Sequence, residues 1–447
     1  MAEKLGISLR RLISFSIRGR VNEMNPIFNE YIGFLNNTNK TKIKDLTEGY
    51  FWLDHQIIKA FDKNGNLHKL YKIYVDNDLN VTVKKPKGYE SISDFEIASW
   101  NDIVNMQRDR LYDLENKSIN LINEVIQNKQ DYTPEILTSG GKDSSVTMHL
   151  VRKAIPNCHA IFNNTSLDCM DTYKHIKTID NCITINPKEG FYQWRKKSNF
   201  SPTRFARACC SIFKEGAMID ELDHETKYIF FLGMRNEESA KRNNYGDMWR
   251  NNKWSVNWEG CLPIREWTEL DVWLYILMNK IDFNPKYKKG YARCGCAIVC
   301  PFYSKSVWVL DKYWYRKLYD RWQSILKEDF ISNNKWLIMN CTLKEYISTA
   351  WTGGTYKNKP TEEVIKEFME YNGLKDFNLA QQYFNKNCCE CNKRIKDKNV
   401  LAMNMKLHGR QINRFYCKKC FKKLHNLSED DWNSRLKSFK QSGCMLF

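Results

Sequence analysis

The stretch Ser139-Gly140-Gly141-Lys142-Asp143-Ser144-Ser145 decides how this chain is read. It follows the apolar pair Ile136-Leu137 and precedes Val146, Met148, Leu150 and Val151 at helical spacing. That order predicts a strand, a tight glycine turn and a helix. Two glycines let the backbone take positive φ and come close to an anion. The helix start behind them offers unpaired N–H groups and the positive end of the dipole, which suits phosphate. Ser139, Ser144 and Ser145 add hydroxyl donors, and Lys142 adds a mobile positive charge. The pattern GxxxxGK[ST] is absent, so a kinase or GTPase type of loop is not indicated. A polar surface turn with a helix cap is the plainer alternative, and the flanking strand and helix weigh against it.

Working outward, strand-like and helix-like runs alternate from Pro134 onward. Glu135–Thr138, His159–Asn163, Ile183–Ile185 and Tyr228–Met234 read as strands; Ser145–Ala154, Asp171–Asp180 and Leu270–Met278 read as helices. This predicts an α/β fold, a parallel sheet with helices on both faces. Ligands of such sheets sit at the carboxyl ends of strands, where the glycine turn lies. Two further strand ends are polar: Asn164-Thr165, and Gly233 with Arg235, Glu238, Lys241 and Arg242. Arg235 and Arg242 are candidates to grip phosphate or sulfate in bidentate fashion. Upstream, residues 91–128 carry helical periodicity, and an Asn-Gly turn at 64–65 precedes an alternating stretch that predicts a small β-hairpin or sheet. The stripe Trp308, Leu310, Trp314, Leu318, Trp322 and Ile325 reads as core packing more than as a base-stacking surface.

The 447 residues suffice for two or three domains. No apolar run reaches membrane-spanning length, and Met1–Arg20 has no signal-peptide pattern, so a cytoplasmic location without membrane partners is expected. The net charge of +18 suits phosphate-rich partners, although a lysine-rich surface can be merely solvated. Sixteen cysteines without a secretory signal point to metal or redox chemistry. Among them, Cys388-x-x-Cys391 and Cys417-x-x-Cys420, separated by 25 residues, match a four-cysteine zinc ribbon or treble clef, with Cys389 to spare. Residues 386–447 hold 15 Lys or Arg against 5 Asp or Glu, so this module is expected to contact DNA or RNA.

The glycine turn resembles the PP-loop of ATP pyrophosphatases. The ordered run of that turn, FNNTSLDCMDTY, Arg207-Ala208-Cys209-Cys210 with Lys214, GMRNEES, Leu262–Trp267, Asp271-Val272-Trp273, Phe283-Asn284-Pro285-Lys286-Tyr287 and Gly290-Tyr291 is similar to the phosphoadenosine-phosphosulfate (PAPS) reductase family. That family includes sulfonucleotide reductases, the sulfurtransferase of DNA phosphorothioation and phage-encoded relatives. The resemblance covers roughly residues 132–330. It implies an adenine-nucleotide α-hydrolase-like fold that takes ATP or PAPS, with magnesium, on Ser139–Ser145 together with Asn164, Thr165, Gly233, Arg235, Glu238 and Arg242. Lys142, Asp143 and Arg235 would carry the catalysis. It also implies a [4Fe–4S] cluster on Cys209, Cys210, Cys296 and Cys300, with Cys294 in reserve; zinc or free thiols are the alternatives. This chain has Cys296-x-x-x-Cys300 where the family often has C-x-x-C. Cys444 also lacks the Glu-Cys-Gly-[Ile/Leu]-His context of the reductases' catalytic cysteine.

The expected organisation is an accessory region at 1–90, a long helix packing on the core at 91–131, the nucleotide domain at 132–350, a helical connector at 351–384 and the basic zinc module at 385–447. The expected function is ATP-dependent activation or transfer of sulfur, on nucleic acid and with a sulfur-donor protein. Reduction of PAPS or APS, and a non-catalytic nucleic-acid-binding protein with a vestigial loop, are the alternatives. The oligomeric state is not legible.

Overall fold

The computed structural model describes residues 24–39, 43, 45–198, 200–240, 242–296, 298–353, 359–409 and 414–441. Met1–Arg20, Lys241, Arg410 and Cys444 lie outside them. The chain divides into two units, one holding residues up to 202 with 206–319, the other 203–205 with everything from 320 onward.

The first unit begins with an antiparallel sheet. Its five strands, β1 (Met24–Pro26), β2 (Phe51–Asp54), β3 (Ile57–Phe61), β4 (Leu67–Val75) and β5 (Val81–Lys84), lie side by side in chain order. The Asn-Gly turn joins β3 to β4, where Asp62 Oδ1 accepts the N–H groups of Asn64 and Asn66. Phe51, Ile58, Ala60, Leu70 and Ile73 bury one face, and this core continues into Tyr291, Val309 and Leu310. The N-terminal sheet is thereby packed onto the same unit as the glycine turn.

Gly290 is where that packing tolerates no side chain. Its φ is +89°, and a Cβ there would lie 2.2 Å from the Tyr31 ring. Gly290→Ala should cost about 2–4 kcal/mol, combining left-handed backbone strain with overpacking. A urea midpoint that falls accordingly at unchanged m checks this.

The second sheet contains β6 (Thr133–Thr138), β7 (His159–Asn163), β8 (Cys182–Ile185), β9 (Tyr228–Leu232), β10 (Met248–Trp249) and β11 (Trp258–Cys261), in the order β10-β11-β9-β6-β7-β8. Every neighbouring pair is parallel except β10 with β11. Apolar residues of the helices Trp100–Asn128, Lys142–Ala154 and Glu269–Asn279 share one core with Ile136 and Ala160. Ala217 and Met218, from the short helix Ala217–Glu221, cover Ile161 and Phe230 on the other face. The long helix starts at Trp100, later than the periodicity suggests. Ser99 and Asp102 form a capping box that fixes its first turn, with Ser99 Oγ accepting the Asp102 N–H at 3.1 Å.

From β6 the chain steps to β7 and β8 on one side, then β9 inserts on the other. The carboxyl ends of β6 and β9 therefore flank the point where the strand order reverses, which is where such sheets open a ligand crevice.

The aromatic stripe does not form one helix. It breaks at Tyr315 between the helices Lys305–Trp314 and Arg316–Ser332, and Leu310 and Trp322 are buried. The second unit is otherwise helical, with Glu362–Asn372 and Phe377–Asn385 leading into a cysteine module that carries the helices Lys398–His408, Lys418–Leu424 and Glu429–Gln441. Among the described residues no helix is long and apolar enough to cross a membrane.

Candidate functional site

The glycine turn leaves β6 at Thr138 and enters the helix at Lys142. Gly140 takes φ +67°, and its N–H donates to Thr138 Oγ1 at 3.1 Å. Ser144 Oγ donates back to the Gly141 carbonyl at 2.8 Å, and the Lys142 N–H donates to the Tyr287 hydroxyl at 3.0 Å. Ser145 Oγ is buried and has no hydrogen-bond partner among the described residues. Gly233, at the end of β9, stands against the turn so closely that a Cβ would sit 2.6 Å from the Asp143 carbonyl carbon. Only glycine lets these two strand ends meet.

Lys142 is not a mobile charge. It is 3% exposed, and its Nζ lies 3.0 Å from Asp143 Oδ2 and 3.1 Å from Glu269 Oε1. Arg235, 2% exposed, places Nε 2.6 Å from Asp143 Oδ1 and also pairs with Glu237 and Glu269. The reason is physical: an ammonium or guanidinium out of water must be paired. Burial opposes the charge on all three central groups, yet the partners win. Asp143 is held well below the usual carboxylate range by Lys142 and Arg235, while Lys142 and Arg235 are raised by their carboxylates. Glu237 goes the other way, because burial outweighs Arg235. The result is a rigid floor of two cations and three carboxylates under the turn.

The remaining expected nucleotide residues face their own loops. Asn164 Nδ2 donates to Asn186 Oδ1 at 2.8 Å, and Thr165 Oγ1 donates to Asp168 Oδ2 at 2.7 Å. Glu238 Oε2 accepts the Arg235 N–H at 3.1 Å and pairs with Arg242. Burial and nearby Arg293 lower the pKa of Arg242. Tyr287, Glu237 and Glu269 belong to the site and were not singled out from sequence. Tyr287 lies in the Asn-Pro-Lys-Tyr run and Glu237 in the GMRNEES run, both of which carried the family resemblance, whereas Glu269 had no motif to mark it.

The middle cysteines separate into two places. Cys209, Cys210, Cys296 and Cys300 are mutual neighbours: the hydrogen bond with Cys210, then burial, then the charges of Cys210, Cys296 and Cys300 raise the pKa of Cys209. Cys210 is lowered to about 6 by Cys209, with Lys214 and Arg207 adding, against burial. Burial pushes Cys296 up to about 12. Cys210 also opens a π-helical segment through Gly216, a widened turn that recurs at functional sites. Cys294 sits apart, near Lys286, Tyr287 and Lys142, and burial pushes it up to about 12.

The tail brings Cys388, Cys391, Cys417 and Cys420 together, their sulfurs all within 4.8 Å of one another. The Cys391–Cys417 separation is 3.7 Å. Thiolates about 2.3 Å from a tetrahedral ion stand about 3.8 Å apart, so these four cysteines are spaced to hold a metal in the manner of a zinc ribbon. Burial opposes the Cys388 thiolate, but hydrogen bonds from the backbone at Cys417, Cys391 and Glu390 lower its pKa to about 6. Asn404, fully buried, holds the second knuckle by donating to Tyr416 O at 2.9 Å and accepting the Tyr416 N–H at 2.8 Å. Cys389 is exposed beside the group, as its place in the run suggested.

Comparison with known proteins bears on the first unit. Residues 133–301 match the family model of the phosphoadenosine phosphosulfate reductase domain. An uncharacterised protein of Methanocaldococcus jannaschii is 30% identical over 269 residues, 58% of this chain and 62% of its own length. The chain thus spans about three fifths of that relative. The adenosine 5′-phosphosulfate reductase of Lysinibacillus sphaericus is 25% identical over 217 residues, 44% of this chain and 85% of that protein. Among solved structures, the phosphoadenylyl-sulfate reductase of Candida auris in its phosphate complex matches 42% of this chain and 94% of its own, with 18% identity and a TM-score of 0.33. The ordered motifs and the family match describe the same segment, and residues 133–301 are similar to the phosphoadenosine phosphosulfate reductase domain.

Proposed function

We propose that this chain is a PP-loop enzyme that uses an adenine nucleotide to activate or transfer sulfur. The observation that carries this reading is the glycine turn at the end of β6, set against Gly233 where the strand order reverses. The turn and the start of the helix Lys142–Ala154 would take the phosphates of ATP or PAPS, with magnesium as counter-ion. There the helix dipole and backbone N–H groups stabilise negative charge without reorganising. Lys142 and Arg235 act through the floor they build with Asp143, Glu237 and Glu269, which holds the turn in one shape.

Cys209, Cys210, Cys296 and Cys300 are the proposed ligands of an iron–sulfur cluster. Their mutual proximity and the cations Lys214 and Arg207 suit thiolates. When bound, such a cluster supplies electron or sulfur chemistry. The tail cysteines are proposed to hold zinc, and the basic surface around them to contact the phosphates of DNA or RNA, the proposed acceptor, with a sulfur-donor protein as a further partner. A second reading, reduction of a sulfonucleotide, is favoured by the 25% identity to an adenosine 5′-phosphosulfate reductase.

Product analysis separates the two. Anaerobically prepared protein is given either ATP with a sulfide source and nucleic acid, or radiolabelled adenosine 5′-phosphosulfate and PAPS with a dithiol. Pyrophosphate or AMP release coupled to sulfur in the nucleic acid is the expected result. Sulfite released from the sulfonucleotide without nucleic acid would replace this reading with the reductive one.

A further inference from the structure

A cavity of about 360 Å³ lies on the face of the second sheet away from the long helix, lined by Glu135, Ile161, Ile185, Glu221, Leu222 and Tyr228. Its size falls within the range of small-ligand sites, roughly 300–1,000 Å³. Glu135 lies three residues before Thr138, toward the start of β6 and away from the glycine turn. Its register partners are His159 on β7 and Phe230 on β9.

Glu135 is the anomaly. Its residue is only 6% exposed, yet Oε2 has no hydrogen-bond partner among the described residues. The imidazole of His159 places Nδ1 3.7 Å from the other oxygen, beyond hydrogen-bond reach, and its side chain is mostly exposed. A buried carboxylate left this way is costly unless a donor or cation meets it. Burial accordingly pushes its pKa up, with His159 opposing. The walls around it are apolar at Ile161, Ile185 and Leu222, and the Tyr228 ring, Thr184, Asn186 and a second, exposed carboxylate, Glu221, also line it.

We propose that this cavity binds a small organic ammonium ion, its charged head on Glu135 and its alkyl body against Ile161, Ile185 and Leu222. The Tyr228 ring offers a further surface to a cation. The chemistry selects for charge and an apolar body together. A neutral alkane would leave Glu135 unmet, and a bare ion would leave the apolar wall of Ile161, Ile185 and Leu222 unused.

Titration calorimetry with n-butylammonium chloride tests this, with n-butanol as the neutral isostere and sodium chloride as the ionic control. Saturable binding of butylammonium to the full chain is expected, weakened at least tenfold by Glu135→Gln. Ile183, 52% exposed and also lining the cavity, allows a second variant. Ile183→Trp should obstruct the cavity and abolish binding with Glu135 untouched. Thermal melts of both variants report folding. Absence of saturable binding to the wild type, equal affinity for butanol, or unchanged affinity in a folded Glu135→Gln protein would each overturn the proposal.

Discussion

Arg235→Met should lower the free energy of unfolding by about 3–5 kcal/mol, the cost typical of removing one partner from a buried ionic group. In the native protein the guanidinium meets Asp143, Glu237 and Glu269 at once. Methionine fills similar space but leaves three carboxylates around a single remaining cation, Lys142. Glu237 then loses its guanidinium, Asp143 and Glu269 share one ammonium, and the excess negative charge must be met by a proton or by water. The same logic makes Lys142→Ala a stability variant before it is a binding variant, since Asp143 and Glu269 depend on it. Urea denaturation checks this: the midpoint should fall at unchanged m. A loss under about 1 kcal/mol, the scale of exposed pairs, would mean that the floor is solvated and the turn is not rigidly held.

Cys388→Ser should release the metal from the tail and unfold it. Structural zinc in small modules contributes about 10–16 kcal/mol of apparent binding free energy, which is folding free energy there. The tail has little else to draw on: its core is Cys388, Ile395, Val400, Met403, Phe415, Phe421 and Trp432, of which one is itself a candidate ligand. So small a core does not sustain a fold without a staple. Wild-type protein should carry one tail zinc, and its cobalt form should show the charge-transfer absorption of four thiolates. Cys388→Ser should lose both, together with protection of 385–441 from proteolysis. Full zinc content in the variant would remove Cys388 from the ligand set.

The parts of this architecture that were legible in the sequence depend on short-range rules. The strand, turn and helix around Ser139–Ser145 follow from glycine, a helical repeat and an apolar run within a single window. The two Cys-x-x-Cys knuckles are legible for the same reason. Position Trp100 shows the limit, because helical periodicity cannot outvote the cap at Ser99. What stayed hidden is non-local. The floor beneath the turn joins residues from β6, the β9 exit and the helix Glu269–Asn279, and a glutamate that pairs with an arginine 34 residues away looks like any surface glutamate. Lys142 read as mobile because nothing beside it in sequence reveals Glu269. Strands β10 and β11 also escaped notice: they are two and four residues long, and Gly260 interrupts the second.

The central claim is that the turn Ser139–Ser145 holds an adenine nucleotide, and direct titration of ATP, adenosine 5′-phosphosulfate and PAPS into the full chain tests it. At least one should bind saturably at one site per chain. Gly233→Ala, whose Cβ would press on the Asp143 backbone at 2.6 Å, should weaken that binding at least tenfold. If none of the three binds up to millimolar concentration to folded protein, the turn is not a nucleotide site.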